Sequence, residues 1–323
     1  MKKIARREFI QTSAAAAAVA ALAAAPWRRA LAAMGSAPAA GGTPAAGGTP
    51  AVDLVDVSGS DPLKMVEAAL DALGGIGRFV RKGDVVVIKP NAGFANPPDW
   101  GTTTNPQTVF AVAKACLDAG AKSVTVLDYP QAKADKCFKR CGITDALATL
   151  PKVQLKLLGQ QSEFKQVALK DGIALKEVEV AKQVLSADVL INLPAAKHHT
   201  QTGVSFGLKN AMGLIWDRKA FHTMFDLHQG IADLGRIIKP QLTIVDATRA
   251  LLSGGPAGPG ETVTPGRMVA GVQIASVDAY ALTVARFNQR QMTPDDARHI
   301  LLAGKLGLGE IDVAKLQVKK VNS

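Results

Sequence analysis

Residues 85–91 read Val85-Val86-Val87-Ile88-Lys89-Pro90-Asn91. Four β-branched residues stand in succession with no alternation of apolar and polar. That is the pattern of a strand covered on both faces, not of one with a wet side. Such strands belong to mostly parallel sheets, whose crossover helices lie over both faces. Similar runs recur at 124–127, 188–193 and 242–245. Helix signatures stand between them. Ser60-Asp61-Pro62 is a cap with proline in the first turn and opens a helix over 62–73; Asn105-Pro106 opens another that runs to Asp118, before Gly120. Further helices are expected at 134–141, from 144, at 227–238, at 278–288 and from Pro294, and further strands at 52–57, 153–157, 174–180 and 272–276. The fold class is α/β, a mainly parallel sheet with helices on both faces.

Upstream of this pattern the chain changes character. It opens MKKIARREFIQ, where Arg6-Arg7, any residue, then Phe9-Ile10 fits the twin-arginine export signal. An Ala-rich run over 14–25 follows, then Arg28-Arg29 and a small-x-small cleavage pattern at Ala30-Leu31-Ala32. The run is about half of the ~20 apolar residues that a spanning helix needs. Residues 1–32 are therefore expected to be a twin-arginine signal peptide, with the twin-arginine translocase as partner during export and a periplasmic or otherwise exported location. Membrane contact is expected only through the signal, if it stays uncleaved. Residues 33–51 are Ala, Gly, Pro, Thr, Ser and Met without charge, and read as a linker. The α/β domain spans 52–323.

Composition narrows the function classes. The formal charge is +11, but residues 1–32 hold six basic residues and Glu8, which leaves +6 without them. The remaining charge is spread out, so nucleic acid is not an expected partner and a small anionic ligand is. Cys116, Cys137 and Cys141 match neither an iron–sulfur cysteine motif nor a zinc spacing, so no cofactor is indicated by the cysteines. Cys137 and Cys141 flank a lysine-rich segment and are expected to be the more reactive thiols.

In parallel sheets, ligands collect beyond the carboxyl ends of the strands. Here those ends carry Lys89-Pro90-Asn91, Asp128-Tyr129-Pro130, Asn192 with Lys197-His198-His199 beyond it, and Asp246 with Thr248-Arg249. Four of the five histidines fall within 192–228. Histidine serves as acid, base or metal ligand near neutral pH. Gly203-Val204-Ser205-Phe206-Gly207 fits the G-x-S-x-G elbow pattern, but the nearest expected strand ends about ten residues earlier, which argues against a nucleophile there. Residues 254–266 form a Gly/Pro-rich loop, able to present backbone N–H groups to an anion but lacking the lysine-hydroxyl pattern of a nucleotide loop.

The segment NLPAAKHHTQTGVSFGLKNAMGLIWDRKAFH, residues 192–222, resembles the signature of the bacterial and archaeal family called domain of unknown function 362. The matching positions are Asn192, Pro194, Lys197, His199, Lys209, Asn210, Gly213, Lys219 and His222. The resemblance extends to Lys89-Pro90-Asn91, Asp246, Gly255-Pro256 with Gly260, and Ser276-Val277-Asp278, over about residues 52–310. It departs from the family at Thr283 and Ala247, where an aspartate and a glycine usually stand. Some members carry a ferredoxin module; the cysteines of this chain do not provide one.

The residues and the resemblance together imply one site. Lys197, His199 and His222 are its candidate catalytic groups. Lys89, Asn91, Asn192, Lys209, Asn210 and Asp246 are its candidate ligand-binding groups, and His198, His228 and Asp278 candidate metal ligands. Several lysines in one dry pocket need lowered pKa values or an anion to balance them. Binding of a small anion, with proton transfer or redox chemistry on it, is the expected function. The alternative is a non-catalytic accessory protein that holds a metal or cofactor for an exported redox system.

Overall fold

A computed structural model describes residues 53–224 and 226–323. The signal and linker expected at 1–51 lie outside the described residues. Thirteen strands are present among the described residues. In chain order they are β1 (Leu54–Ser58), β2 (Val85–Pro90), β3 (Ser123–Asp128), β4 (Val153–Leu157), β5 (Phe164–Ala168), β6 (Glu177–Ala181), β7 (Val189–Leu193), β8 (Ala195–His199), β9 (Gly203–Ser205), β10 (Leu242–Leu251), β11 (Thr262–Val263), β12 (Arg267–Gly271) and β13 (Lys319–Asn322).

The main sheet runs β13-β1-β12-β10-β7-β2-β3-β4. β10, β7, β2, β3 and β4 are mutually parallel, as are β1 and β13, whereas β12 is antiparallel to both of its neighbours. The sheet is thus mixed and mostly parallel. β5 and β6 form a separate antiparallel ribbon, and β8 leaves the line of the sheet to pair with β10 and with β9.

The apolar run in β2 is explained by what covers it. Val86 and Ile88 pack in a core with the helices Pro62–Ala72 and Pro106–Asp118 on one face. Val87 points the other way, into a core shared with the helices Leu227–Ile237 and Ile274–Ala281. Full burial of each such side chain stabilises by ~1.5–3 kcal/mol, so both faces of the strand are specified. The two expected caps are in place. Asp61 accepts from Leu63 N and Asn105 accepts from Gln107 N.

Several expected elements shift. The strand expected at 272–276 lies instead at Arg267–Gly271, and the following helix is Ile274–Ala281, not 278–288. Arg267 of β12 pairs with the buried Asp56 of β1, which also accepts from the Tyr280 hydroxyl at 3.0 Å. The last helix is Arg298–Lys305, four residues after the proline expected to open it. The stretch Ala195–His199, which reads as polar, is a strand buried along its whole length. All three cysteines are buried and unbridged, and burial pushes Cys116 up to about 12 and Cys141 up to about 11. Cys137 is raised for the same reason, so the expected reactivity of Cys137 and Cys141 does not follow from this environment.

Candidate functional site

β2, β3 and β7 end side by side, and their register sets Lys89 beside Asn192. Lys89 is buried, and its ammonium donates to Pro90 O (2.5 Å) and Asn210 Oδ1 (3.1 Å) and pairs with Asp128 at 3.0 Å. Burial pulls its pKa down, and Asp128 opposes that. Asp128 is held in turn by the backbone N–H of Ala92 (2.8 Å) and of Tyr129 (2.7 Å). Gly213 passes over this ion pair. A Cβ there would lie 2.2 Å from Asp128 Oδ1 and 2.7 Å from Lys89 Cε, so glycine is required by close approach.

β7 runs through Pro194 into β8, which delivers Lys197 and His199 to the same rim. Lys197 Nζ donates to Asn91 Oδ1 (3.1 Å), Thr102 O (2.6 Å) and Pro256 O (3.3 Å), and stands 4.9 Å from the Phe94 ring centroid. Three acceptors favour the ammonium, while burial and the Lys209 charge oppose it. The balance places its pKa at about 7. The Gly/Pro-rich loop is packed on β8 here: Gly255 N donates to His198 Nδ1, and a Cβ on Gly255 would come within 1.8 Å of His198 O.

His199 is buried, and its Nδ1 accepts from the backbone N–H of Gln201 (3.2 Å) and Thr202 (3.3 Å). Its proton therefore sits on Nε2. Burial, followed by the charges of Lys209 and Lys197, lowers its pKa to about 2, so the ring is neutral. His222 lies almost parallel to it, with centroids 6.5 Å apart. Its Nδ1 is 2.6 Å from Gln201 Oε1. With that oxygen as acceptor, His222 carries its proton on Nδ1 and presents the Nε2 lone pair. Desolvation and the Lys209 and Arg218 charges lower its pKa too. The two imidazoles thus offer one donor and one base.

Lys209 and Arg218 complete the lining. Lys209 is half-buried, and among the described residues its ammonium has no hydrogen-bond or ion-pair partner; burial and the Arg218 charge lower its pKa to about 8. Arg218 stacks 4.1 Å over the Tyr129 ring and donates to Tyr129 O and Pro130 O. Burial lowers its pKa, though the charge stays. The cavity so formed has a volume of about 340 Å³, and Asp128 is the one carboxylate on its wall among the described residues.

Of the residues expected at the site, Lys89, Asn91, Lys197, His199, Lys209, Asn210 and His222 line this cavity. Five others do not. Asn192 lies one layer behind, accepting from Asn210 Nδ2 (2.8 Å) and donating to Gly207 O (3.0 Å). Asp246 is buried against Asn105 N (2.7 Å) and Thr248, where it fixes the start of the helix Pro106–Asp118. Asp278 accepts from Gly207 N (2.7 Å) and Leu208 N (2.8 Å), and burial raises its pKa to about 7. His198 faces the 254–266 loop. His228 Nδ1 accepts from His299 N at 3.1 Å. No group of three or more His, Cys, Asp or Glu among the described residues is placed to hold a metal ion, so His198, His228 and Asp278 do not form one. Sequence reading placed Asp128 and Tyr129 at the rim without assigning them, set Ser205 aside as the serine of an elbow pattern, and missed Arg218 and Gln201 altogether. Asp128 and Tyr129 had a signal in their position at the end of a buried strand, whereas Arg218 and Gln201 had none.

A mostly parallel α/β sheet with a basic, imidazole-bearing cavity at its carboxyl edge defines the class of protein. The chain belongs to the family described as Domain of unknown function (DUF362), which matches residues 86–283. It is 28% identical over 256 residues to the thylakoid-associated protein sll1697 of Synechocystis sp. (strain ATCC 27184 / PCC 6803 / Kazusa), across 76% of this chain and 75% of that protein. Among solved structures it is similar to the lactate racemase apoprotein from Thermoanaerobacterium thermosaccharolyticum, at 12% identity and a TM-score of 0.43. That similarity covers 66% of this chain and 54% of the racemase, so the chain spans about half the racemase's length.

Proposed function

We propose that this chain binds a small anionic ligand in the cavity and transfers a proton to or from it with the His199–His222 pair, after export by the twin-arginine route. One observation carries the reading: four basic side chains, Lys89, Lys197, Lys209 and Arg218, surround a cavity that has one carboxylate on its wall among the described residues. Such a site is electrostatically unbalanced, and an anion balances it without lysine deprotonation. Neutral His199 donates from Nε2 to an oxygen on which charge develops. His222 at the mouth acts as the base. The export half rests on Arg6-Arg7-Glu8-Phe9-Ile10 ahead of the Ala-rich run.

Lys209 gives the cleanest test because it bonds to nothing else in the described protein. Phosphate or acetate, titrated at fixed ionic strength, should raise the unfolding temperature of the mature chain. An anion at 100 times its Kd should add ~2.7 kcal/mol. Lys209→Ala should remove most of that gain without lowering the stability of the unliganded protein. A Lys209→Ala protein that unfolds earlier without anion, and shows no anion effect to lose, would mark the residue as structural. Deuterium uptake from solvent into a bound small acid, lost in His222→Ala, reads out the proton transfer.

A further inference from the structure

The four cations of the cavity are not equivalent, and hydrogen-bond capacity separates them. A lysine ammonium has three N–H donors. All three of Lys89 are taken by Pro90 O, Asn210 Oδ1 and Asp128. All three of Lys197 are taken by Asn91 Oδ1, Thr102 O and Pro256 O. A ligand reaching either must displace a protein acceptor. Lys209 has none of its donors committed among the described residues. Arg218 has five N–H groups, and the two bonds to Tyr129 O and Pro130 O leave three of them unused. Tyr129 and those two carbonyls hold the guanidinium in place, so its remaining donors are preorganised.

Charge gives the second half. Asp128 pairs with Lys89 and its charge also supports those of Arg218 and Lys197, but among the described residues no carboxylate on the cavity wall forms an ion pair with Lys197, Lys209 or Arg218. A monoanion would leave two of these charges confined together, whereas a dianion leaves one. Lys209 and Arg218, each lowering the stability of the other's charge, gain most from a group that accepts from both.

We propose that Lys209 and Arg218 form the anion clamp of this cavity and that its ligand carries a dianionic oxyacid group, phosphoryl or dicarboxylate. This rests on the anion-binding reading above and narrows it. Lys89 and Lys197 are internal charges that shape the field and hold the loops, and His199 and His222 lie next to the clamped group. Arg218, which no sequence signal marked, becomes the residue that sets the charge of the ligand.

The test is calorimetric titration of the mature chain at pH 8 and fixed ionic strength with three probes: inorganic phosphate, succinate and acetate. Phosphate, succinate or both should bind at least tenfold more tightly than acetate, and the comparison of the first two identifies the source of the dianion. Heats measured in buffers of different ionisation enthalpy should show net proton uptake on dianion binding, as Lys197 and Lys209 are driven to their charged forms. Arg218→Lys and Lys209→Met should each reduce dianion affinity tenfold or more and bring it down to that of acetate. Acetate binding as tightly as both dianions in the unaltered chain overturns the inference and leaves the anion-binding reading standing. That readout needs no variant to fold. Dianion binding undiminished in both variants also overturns it. If none of the three anions binds, the proposed function itself fails.

Discussion

Lys197 shows how one residue is pulled in two directions. Its ammonium sits among three acceptors and the Phe94 face, yet it is buried and shares the cavity with Lys209. The folded pKa of about 7 against an ordinary 10.5 has a thermodynamic consequence. Between those values the unfolded chain binds more protons than the folded one, so stability rises with pH across that window. The stability is fully present above 10.5 and is lost as pH falls through about 7. Lys209, lowered to about 8, adds to the same slope. A tenfold difference in proton affinity between the folded and unfolded chain corresponds to about 1.4 kcal/mol. Urea unfolding of the unliganded chain at pH 7, 8.5 and 10 should therefore give a rising midpoint, and Lys197→Met should flatten it. A midpoint that is level or falls over this range in the parent chain would show that both lysines remain charged in the fold. Bound anion should flatten the slope as well, because it restores the lysine charge.

At the scale of elements, the cavity depends on short segments that cannot hold themselves. The helix Gly207–Asn210 is four residues long and brings both Lys209 and Asn210 to the wall. Isolated helices of that length have no stability in water. It stands because Asp278 caps its first two N–H groups and Asn192 holds Gly207 O. Asn192 and Asp278 thus support the segment that carries Lys209 and Asn210 without lining the cavity. Beyond the helix, the turn Ala211–Leu214 crosses the Lys89–Asp128 pair at Gly213, whose carbonyl accepts from Tyr129 N at 3.0 Å. Gly213→Ala places a methyl group where the ion pair lies, so one must move. We expect a loss of ~1–3 kcal/mol from overpacking, read from the urea midpoint, together with weaker anion binding. Unchanged stability and binding would mean that the turn shifts freely and that the ion pair does not fix it.

For the whole molecule, the arrangement follows from parallel connectivity. Parallel strands point their carboxyl ends the same way, so residues distant in sequence collect on one edge. Lys89 and Asn210 are 121 positions apart and Lys197 and Asn91 are 106 apart, yet each pair is hydrogen-bonded at 3.1 Å. No helix among the described residues is long and apolar enough to cross a membrane. The proposed delivery route is tested on the intact cell: with both Arg6 and Arg7 changed to Lys, the protein should stay in the cytoplasm. A double variant exported as well as the parent would assign export to another route. Because the twin-arginine route carries folded proteins, the mature domain is expected to reach the translocase with its sheet already formed.

The sequence by itself determined the sheet type, because a run such as Val85–Ile88 has no polar side to give to water. It also determined the two helix caps and the rim residues that follow buried strands, since period and turn chemistry are local. The tertiary structure alone decided which rim residues reach the cavity. Asp246 reads as a strand-end residue like Asp128, but β10 runs on to Leu251, and Asp246 within it accepts from the N-terminus of a neighbouring helix while Asp128, the last residue of β3, meets Lys89. Ala195–His199 looks polar in one dimension and is buried in three, since its polar side chains find partners on other loops. The same holds for the difference between committed and uncommitted cations. Spacing places a lysine on an edge, but a long side chain takes its partner from whatever backbone carbonyl or carboxylate the rest of the fold brings within about 3 Å, and those partners come from distant parts of the chain.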